Sequence, residues 1–290
     1  MFFAALYTLD MKHPIKDIEN LATTGFVSMK YPPQLRAAVE KAVASWQEFC
    51  ALPTEVKRGL PYSNNADGVG YELKDGVGNK ADHKENFDVT TGSKRWLTEN
   101  AGKVKNAVAL CFIEDASALV ALTKPLIVEF ARQAEEAFAL PDFTKEVEQG
   151  EDAYFIRFIH YFGDRTVGEE IASAHADQSG FTPHLYESAA GLQCLTREKQ
   201  WIDMPVSADE TVIIPSMQMQ LRSSGQLKAT CHRVVATAQT AKEGRYSAVC
   251  FVQLKKTPKY DKERCGRLQE KAPGFNYEMP KEDFEGLFRR

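Results

Sequence analysis

His175-Ala176-Asp177-Gln178-Ser179-Gly180-Phe181-Thr182, followed far downstream by His232-Arg233-Val234 and then by Arg245-Tyr246-Ser247, is the stretch whose reading decides the fold. Alternate residues of a strand project from one face. His175 and Asp177 are therefore predicted to point the same way, as are Arg245 and Ser247, with Val249 and Phe251 continuing that face. His232 lies in the run Leu227–Thr237, which reads as the second arm of a hairpin turning at Ser223–Gly225. Two imidazoles and a carboxylate form a ligand set suited to Fe(II) with further coordination positions left open. An arginine and a serine two residues apart can together hold a carboxylate. A jelly roll brings such distant positions onto one metal.

Each piece also has a plainer reading. His-x-Asp is common as a surface turn or salt-bridged pair. His232 beside Arg233 fits a satisfied core histidine, and Arg245-x-Ser247 fits a half-exposed strand. Their joint occurrence, in this order and in one region, favours the metal reading.

Working outward, the chain after Pro141 consists of short β-rich runs: Tyr154–Tyr161, Gly191–Leu195, Thr211–Ile214, Met217–Leu221, Lys228–Thr237 and Tyr246–Leu254. Such spacing suits an all-β barrel or jelly roll. Upstream, Thr24–Met29 reads as a short strand. Pro32-Pro33 opens a helix through Cys50, with Leu35, Val39, Val43 and Trp46 at three- and four-residue steps. Leu52-Pro53-Thr54-Glu55 ends it and starts another short helix. Glu114–Leu140 carries a long helical pattern in which Pro125 predicts a kink or a break. Tyr62–Lys80 is polar and glycine-rich and reads as a long loop. It has neither the Gly-Lys-Ser/Thr nor the G-x-G-x-x-G of a phosphate cradle.

The boundaries that follow are an N-terminal α/β region of the same compact unit (1–100), scaffold helices (101–148), a jelly-roll core (149–258) and a surface-wrapping tail (259–290). The fold class expected is α+β, a double-stranded β-helix core with flanking helices.

The 290 residues are 43% apolar and 26% charged, ordinary for a globular chain that buries a sizeable core. A net charge of −4 argues against nucleic acid or an anionic membrane as partner. No apolar run is long enough to span a bilayer. Met1–Tyr7 lacks the basic flank of a signal peptide and reads as a first strand. The six cysteines form no Cys-x-x-Cys pair, which suits free thiols and a cytoplasmic location.

The motifs also resemble a family, the 2-oxoglutarate/Fe(II)-dependent dioxygenases of the isopenicillin N synthase-like branch, nearly from end to end. Gly25-Phe26, Phe49–Lys57 with its Leu52-Pro53, and Gly70-Tyr71 followed by Asp82-His83-Lys84-Glu85-Asn86-Phe87 are similar to its N-terminal segments. Arg157–Phe162, His175-Ala-Asp177, Gly191-Leu192-Gln193, Trp201, Pro205, Ser224-Gly225, His232-Arg233-Val234 and Arg245-Tyr246-Ser247 are similar to its core. Departures are Ile159 for the usual Asn, Phe162 for Pro, Ser216-Met217 for Gly-Asp, and Pro183-His184 for an apolar pair.

The resemblance implies that His175, Asp177 and His232 ligate Fe(II). It implies that Arg245 and Ser247 hold the distal carboxylate of 2-oxoglutarate, with Tyr161 nearby. The reaction it implies is oxidation of a C–H bond of a small organic molecule by O₂, releasing succinate and CO₂, with ascorbate as a stimulant. Substrate-pocket candidates are Arg157, His184, Arg222 and Phe251. Gln218, Gln220 and Arg222 are expected on one strand face. The rival readings are an iron oxidase that uses no 2-oxoglutarate and gives Arg245 and Ser247 to a substrate carboxylate, a zinc hydrolase, and a non-catalytic jelly-roll binding or sensor protein. The oligomeric state is left open, with a monomer compatible.

Overall fold

The computed structural model describes Ile15 and residues 17–62, 68–75, 83–100, 105–261 and 279–288. The expected first strand at Met1–Tyr7 lies outside them, as do Asp82, Cys265 and residues 262–278 of the tail.

The helices are α1 (Asn20–Thr23), α2 (Pro33–Cys50), α3 (Thr54–Arg58), α4 (Ser93–Asn100), α5 (Ala107–Phe138), α6 (Phe143–Gln149), α7 (Met217–Arg222), α8 (Thr240–Glu243) and α9 (Lys281–Glu285). Two of them scaffold the sheet. Helix α2 has proline in its first turn, where no N–H is needed, and buries Leu35, Val39, Ala42, Val43, Trp46 and Phe49 along one stripe. Helix α5 is capped by Asn106, whose Oδ1 accepts from Val108 N at 3.0 Å and Ala109 N at 3.1 Å. Of the expected kink or break at Pro125, the break is absent, and one helix runs through the proline. Leu119 and Val120 before the proline and Leu126, Ile127 and Phe130 after it are buried in one core, and this burial outweighs the lost backbone bond. Trp46, Phe49, Phe87, Phe112 and Phe158 pack where these helices meet the sheet. Phe112 lies 5.1 Å from Trp46 and 5.2 Å from Phe158 between ring centroids.

The strands are β1 (Val27–Lys30), β2 (Gly70–Asp75), β3 (His83–Thr90), β4 (Tyr154–Tyr161), β5 (Glu170–His175), β6 (Phe181–Glu187), β7 (Leu192–Leu195), β8 (Trp201–Asp203), β9 (Glu210–Pro215), β10 (His232–Val235) and β11 (Arg245–Val252). They form an antiparallel sheet in the order β1-β9-β6-β11-β4-β3-β2 and a second in the order β5-β10-β7-β8. One apolar cluster draws Ile159 and Val249 from the large sheet together with Ile171, Leu192 and Val234 from the small one, so the two sheets face each other as a jelly roll. Strand parity divides the large sheet cleanly. Tyr154, Ile156 and Phe158 of β4, with Ala248, Cys250 and Val252 of β11, join the helical core. Phe155, Arg157, Ile159 and Tyr161, with Arg245, Ser247, Val249 and Phe251, line the cavity between the sheets.

Three expectations are corrected. Met217–Leu221 is not a strand but the start of α7. Its alternation of Met and Gln reads as an in/out pattern, yet Met217, Gln218, Met219 and Gln220 are all buried. Gln218 donates to the carbonyls of Leu254 and Thr257, both at 3.1 Å, and Gln220 Oε1 accepts from Ala229 N at 2.8 Å, so each amide replaces a missing backbone partner. No hairpin turns at Ser223–Gly225. That segment follows the end of α7, and β10 pairs with β5 and β7. Within the expected Tyr62–Lys80 loop, Gly70–Asp75 is strand β2 on the edge of the large sheet, while 63–67 and 76–80 lie outside the described residues. Gly70 is required there, because a Cβ would come within 2.5 Å of the Pro61 carbonyl.

Near the end of the chain, α9 buries Phe284 in a small cluster with Phe288, Tyr260 and Met217. Cys50, Cys111, Cys194, Cys231 and Cys250 are free thiols.

Candidate metal centre and carboxylate clamp

His175 closes β5 and His232 opens β10, and the two are direct cross-strand partners. Their ring centroids lie 4.4 Å apart. Asp177 sits two residues beyond the end of β5, so a turn aims it, and the strand alternation predicted for this pair does not extend to it. Thr182 of β6 fixes the carboxylate, its hydroxyl donating to Asp177 Oδ2 at 2.7 Å. Oδ1 is left facing the imidazoles, 3.6 Å from His175 Nε2 and 3.9 Å from His232 Nε2. The three candidate ligand atoms all lie within 4.8 Å of one another.

Each imidazole is oriented from behind. His175 Nδ1 donates to the Ser173 carbonyl at 2.7 Å and His232 Nδ1 to the Thr230 carbonyl at 3.1 Å. With protons on Nδ1, both Nε2 lone pairs point at the shared space, the arrangement found behind metal-ligating histidines. Burial pushes His232 down to about 4, helped by the neighbouring His175 and His184 and opposed by Asp177. Burial alone would raise Asp177, but His232, His175 and Thr182 hold its carboxyl well below the ordinary range. A neutral imidazole and an ionised carboxylate are the forms that bind a divalent cation. Two nitrogens and one oxygen, with the cavity open beside them, fit Fe(II).

On the facing strand, Arg245 and Ser247 point into the same cavity, and Tyr161 is the cross-strand partner of Arg245. What they hold is not evident in the sequence. Arg245 Nη1 lies 2.6 Å from Glu187 Oε2, and the Ser247 hydroxyl donates to the same oxygen. His184 Nδ1 donates to the other carboxylate oxygen at 2.8 Å. Burial would raise Glu187, and Arg245, His184 and Ser247 reverse this and lower it. The clamp thus fits a carboxylate, since one of the chain's own sits on it. Arg245 Nε and Nη2 and His184 Nε2 are buried without a hydrogen-bond partner.

Parity along β6 hides Glu187. Thr182 and His184 face the cavity while Phe181 and Leu185 join the helical core, so strict alternation would turn residue 187 away. A register shift between β6 and β11 at Ala248/Val249 turns it inward.

The wider cavity, of about 590 Å³, is lined by Arg157, His184 and Phe251, and also by Phe155, Lys74 and Lys84. Arg157 forms a bidentate pair with Asp88 of β3, at 2.7 Å through Nε and through Nη2. It lies beside the paired Phe155 and Phe251 rings, 5.8 and 5.7 Å from their centroids. Its charge is therefore answered within the chain. Arg222 is a correction. It sits on α7 away from the cavity, donates to the Pro141 carbonyl and approaches Glu146 at 3.7 Å. Lys57 and Glu85 meet behind β3 at 2.6 Å, where Glu85 also accepts from Tyr71 at 2.7 Å and pairs with His160 at 2.9 Å. Together with Cys50 this group has metal-ligand chemistry, but both Glu85 oxygens are already engaged by Lys57, Tyr71 and His160.

No helix among the described residues is long and apolar enough to cross a membrane. Residues 153–254 match the family model of the 2OG-Fe(II) oxygenase superfamily. A 2-oxoglutarate-dependent dioxygenase of Didymella fabae is 27% identical over 273 residues, covering 79% of this chain and 76% of its own. Among solved structures, a full-length Neurospora crassa protein in complex with alpha-KG and 5-formyluracil superposes with a TM-score of 0.67 at 19% identity, covering 82% of this chain and 77% of that one. The Arabidopsis thaliana dioxygenase for auxin oxidation 1, as its 2-oxoglutarate complex, superposes with a TM-score of 0.65 at 16% identity, covering 81% and 85%. The two-histidine, one-carboxylate cluster and the Arg245–Ser247 clamp both lie within residues 153–254, the part of the chain that is similar to the 2OG-Fe(II) oxygenase superfamily, and the likeness in fold extends over the wider jelly roll.

Proposed function

We propose that His175, Asp177 and His232 hold the Fe(II), that Arg245 and Ser247 receive the distal carboxylate of 2-oxoglutarate, and that the enzyme oxidises a C–H bond of a small organic molecule. The observation that carries the metal assignment is the convergence of His175 Nε2, His232 Nε2 and Asp177 Oδ1 with both Nδ1 atoms tied to backbone carbonyls. When bound, the iron and 2-oxoglutarate supply an O₂-derived oxidant, with 2-oxoglutarate converted to succinate and CO₂.

The protein's own part is placement. Thr182 keeps one carboxylate oxygen of Asp177 occupied, so the other is presented to the metal. Arg245 and Ser247 lie across the cavity, where a charge-assisted contact orients the cosubstrate. Tyr161 stands beside Arg245 on β4. Phe155 and Phe251, 5.1 Å apart between centroids, offer an apolar wall to a substrate, and Arg157 beside them adds hydrogen-bonding capacity with its charge balanced by Asp88. We infer a substrate with a flat or apolar face, recognised by stacking more than by attraction to an anion.

The test is anaerobic reconstitution with Fe(II) and titration with 2-oxoglutarate, followed by admission of O₂. Succinate release, even slow and uncoupled, is expected from the wild type and lost in Asp177→Ala. A protein that holds Fe(II) but neither binds nor consumes 2-oxoglutarate would instead be an oxidase that gives its clamp to a substrate carboxylate.

A further inference from the structure

The clamp is already closed on a carboxylate of the chain itself. Arg245 is fully enclosed, at 0% exposure, although it lies on the cavity wall, and Glu187 and Ser247 cover its Nη1. An incoming carboxylate therefore meets Glu187 before it meets Arg245.

Glu187 holds its place incompletely. It answers one nitrogen of the guanidinium, while Nε and Nη2, the pair that would grip a carboxylate side-on, stay buried and unpartnered. A guanidinium with unsatisfied buried donors gains from exchanging a one-nitrogen partner for a bidentate one. Glu187 is the last residue of β6 and Ser188 after it stays bonded to Tyr246 of β11, so an exchange needs only the Glu187 side chain to move. His184, which binds the other Glu187 oxygen and lines the same cavity, gives the departing carboxylate a partner that does not depend on Arg245.

We propose that Glu187 is a specificity-determining residue: its carboxylate competes with the distal carboxylate of a 2-oxo acid for Arg245 and Ser247, so that 2-oxoglutarate binds by displacing it. The proposal rests on the reading of Arg245 and Ser247 as the cosubstrate clamp. Two consequences separate it from a purely structural role for Glu187. Affinity for 2-oxoglutarate is held down by the cost of displacement. A 2-oxo acid of equal length without a distal carboxylate, 2-oxopentanoate, incurs no such cost, so the preference for the dicarboxylate is narrow in the wild type.

The test measures dissociation constants for 2-oxoglutarate and 2-oxopentanoate by calorimetry on the anaerobic, Fe(II)-loaded full chain. Glu187→Gln keeps the shape and removes the competing charge. It is expected to tighten 2-oxoglutarate by about tenfold while 2-oxopentanoate stays within about twofold, since a close buried charge pair couples by at least the free energy of one decade. Weaker or unchanged binding of 2-oxoglutarate, or a parallel change for both acids, overturns the proposal. If Glu187→Gln does not fold, Glu187→Asp, which withdraws the carboxylate by one methylene, is judged by the same criterion. Arg245→Gln in the Glu187→Gln background tests the underlying reading separately. Loss of the 2-oxoglutarate preference upholds the clamp whatever Glu187 does, and no loss removes both the clamp and the competition.

Discussion

His175 and His232 face each other across the β5–β10 ladder, with ring centroids 4.4 Å apart, and the ladder shifts register immediately beyond them. The pairing presents two imidazoles side by side at the open end of the small sheet, so a metal bridging them ties two strands that are distant in sequence. Replacing either histidine, or Asp177, with alanine should leave the fold intact and lower Fe(II) affinity by more than about 100-fold, a larger loss than removal of a supporting group. Iron content after anaerobic gel filtration measures this. Full iron retention in Asp177→Ala would sink the ligand assignment.

Thr182 acts through Asp177. Thr182→Val keeps the branched shape and removes the donor to Asp177 Oδ2. Fe(II) affinity should fall about 10- to 100-fold, as for other partners of metal-ligating side chains, with the melting temperature nearly unchanged. Competition with a chelator reads the affinity, and an unchanged value would show that the turn alone aims Asp177.

Glu85 ties Lys57, Tyr71 and His160 together behind the cavity. Burial would raise its carboxyl, but His160, Lys57 and Tyr71 lower it from 4.5 to about 2. Because the folded value lies below the ordinary one, the stabilisation is fully present above about pH 4.5 and is lost as pH falls toward 2. The amount is on the order of 3 kcal/mol. Denaturant titrations between neutral pH and pH 3 should show this slope in the wild type and a flatter acid limb in Glu85→Gln. Glu85→Gln should itself be less stable by about 3–5 kcal/mol at neutral pH, because Lys57 is left buried without its counter-ion.

Arg222 provides a control. Its contacts are with Pro141 and Glu146, away from the cavity. Arg222→Ala should cost about 1 kcal/mol of stability and leave 2-oxoglutarate binding unchanged. Unfolding and calorimetric titration of the same sample check both halves, and a loss of cosubstrate affinity would return Arg222 to the pocket.

Much of the site is legible in local patterns. Arg245, Ser247, Val249 and Phe251 share a face because a strand repeats every two residues, and β11 keeps that repeat without interruption against β4. Helix α2 is legible for the same kind of reason, its buried stripe recurring at three- and four-residue steps after a proline. Where local patterns mislead, a contact from elsewhere in the chain intervenes. Met217–Arg222 alternates like a strand, yet the backbone groups of Leu254, Thr257 and Ala229 hold its glutamines as a helix. Pro125 should interrupt α5, but apolar burial on both sides carries the helix through.

By itself the amino-acid sequence determines the types and order of the candidate metal ligands, the face shared by Arg245 and Ser247, and the jelly roll that these suit. Each is a matter of residue chemistry or of a period of two, both written locally. Only the tertiary structure decides that Asp88 neutralises Arg157, that Arg222 lies away from the cavity, and that Glu187 sits on the clamp. Those outcomes depend on which strands are neighbours and on one register shift between β6 and β11, and strand pairing is a long-range choice that no local period encodes.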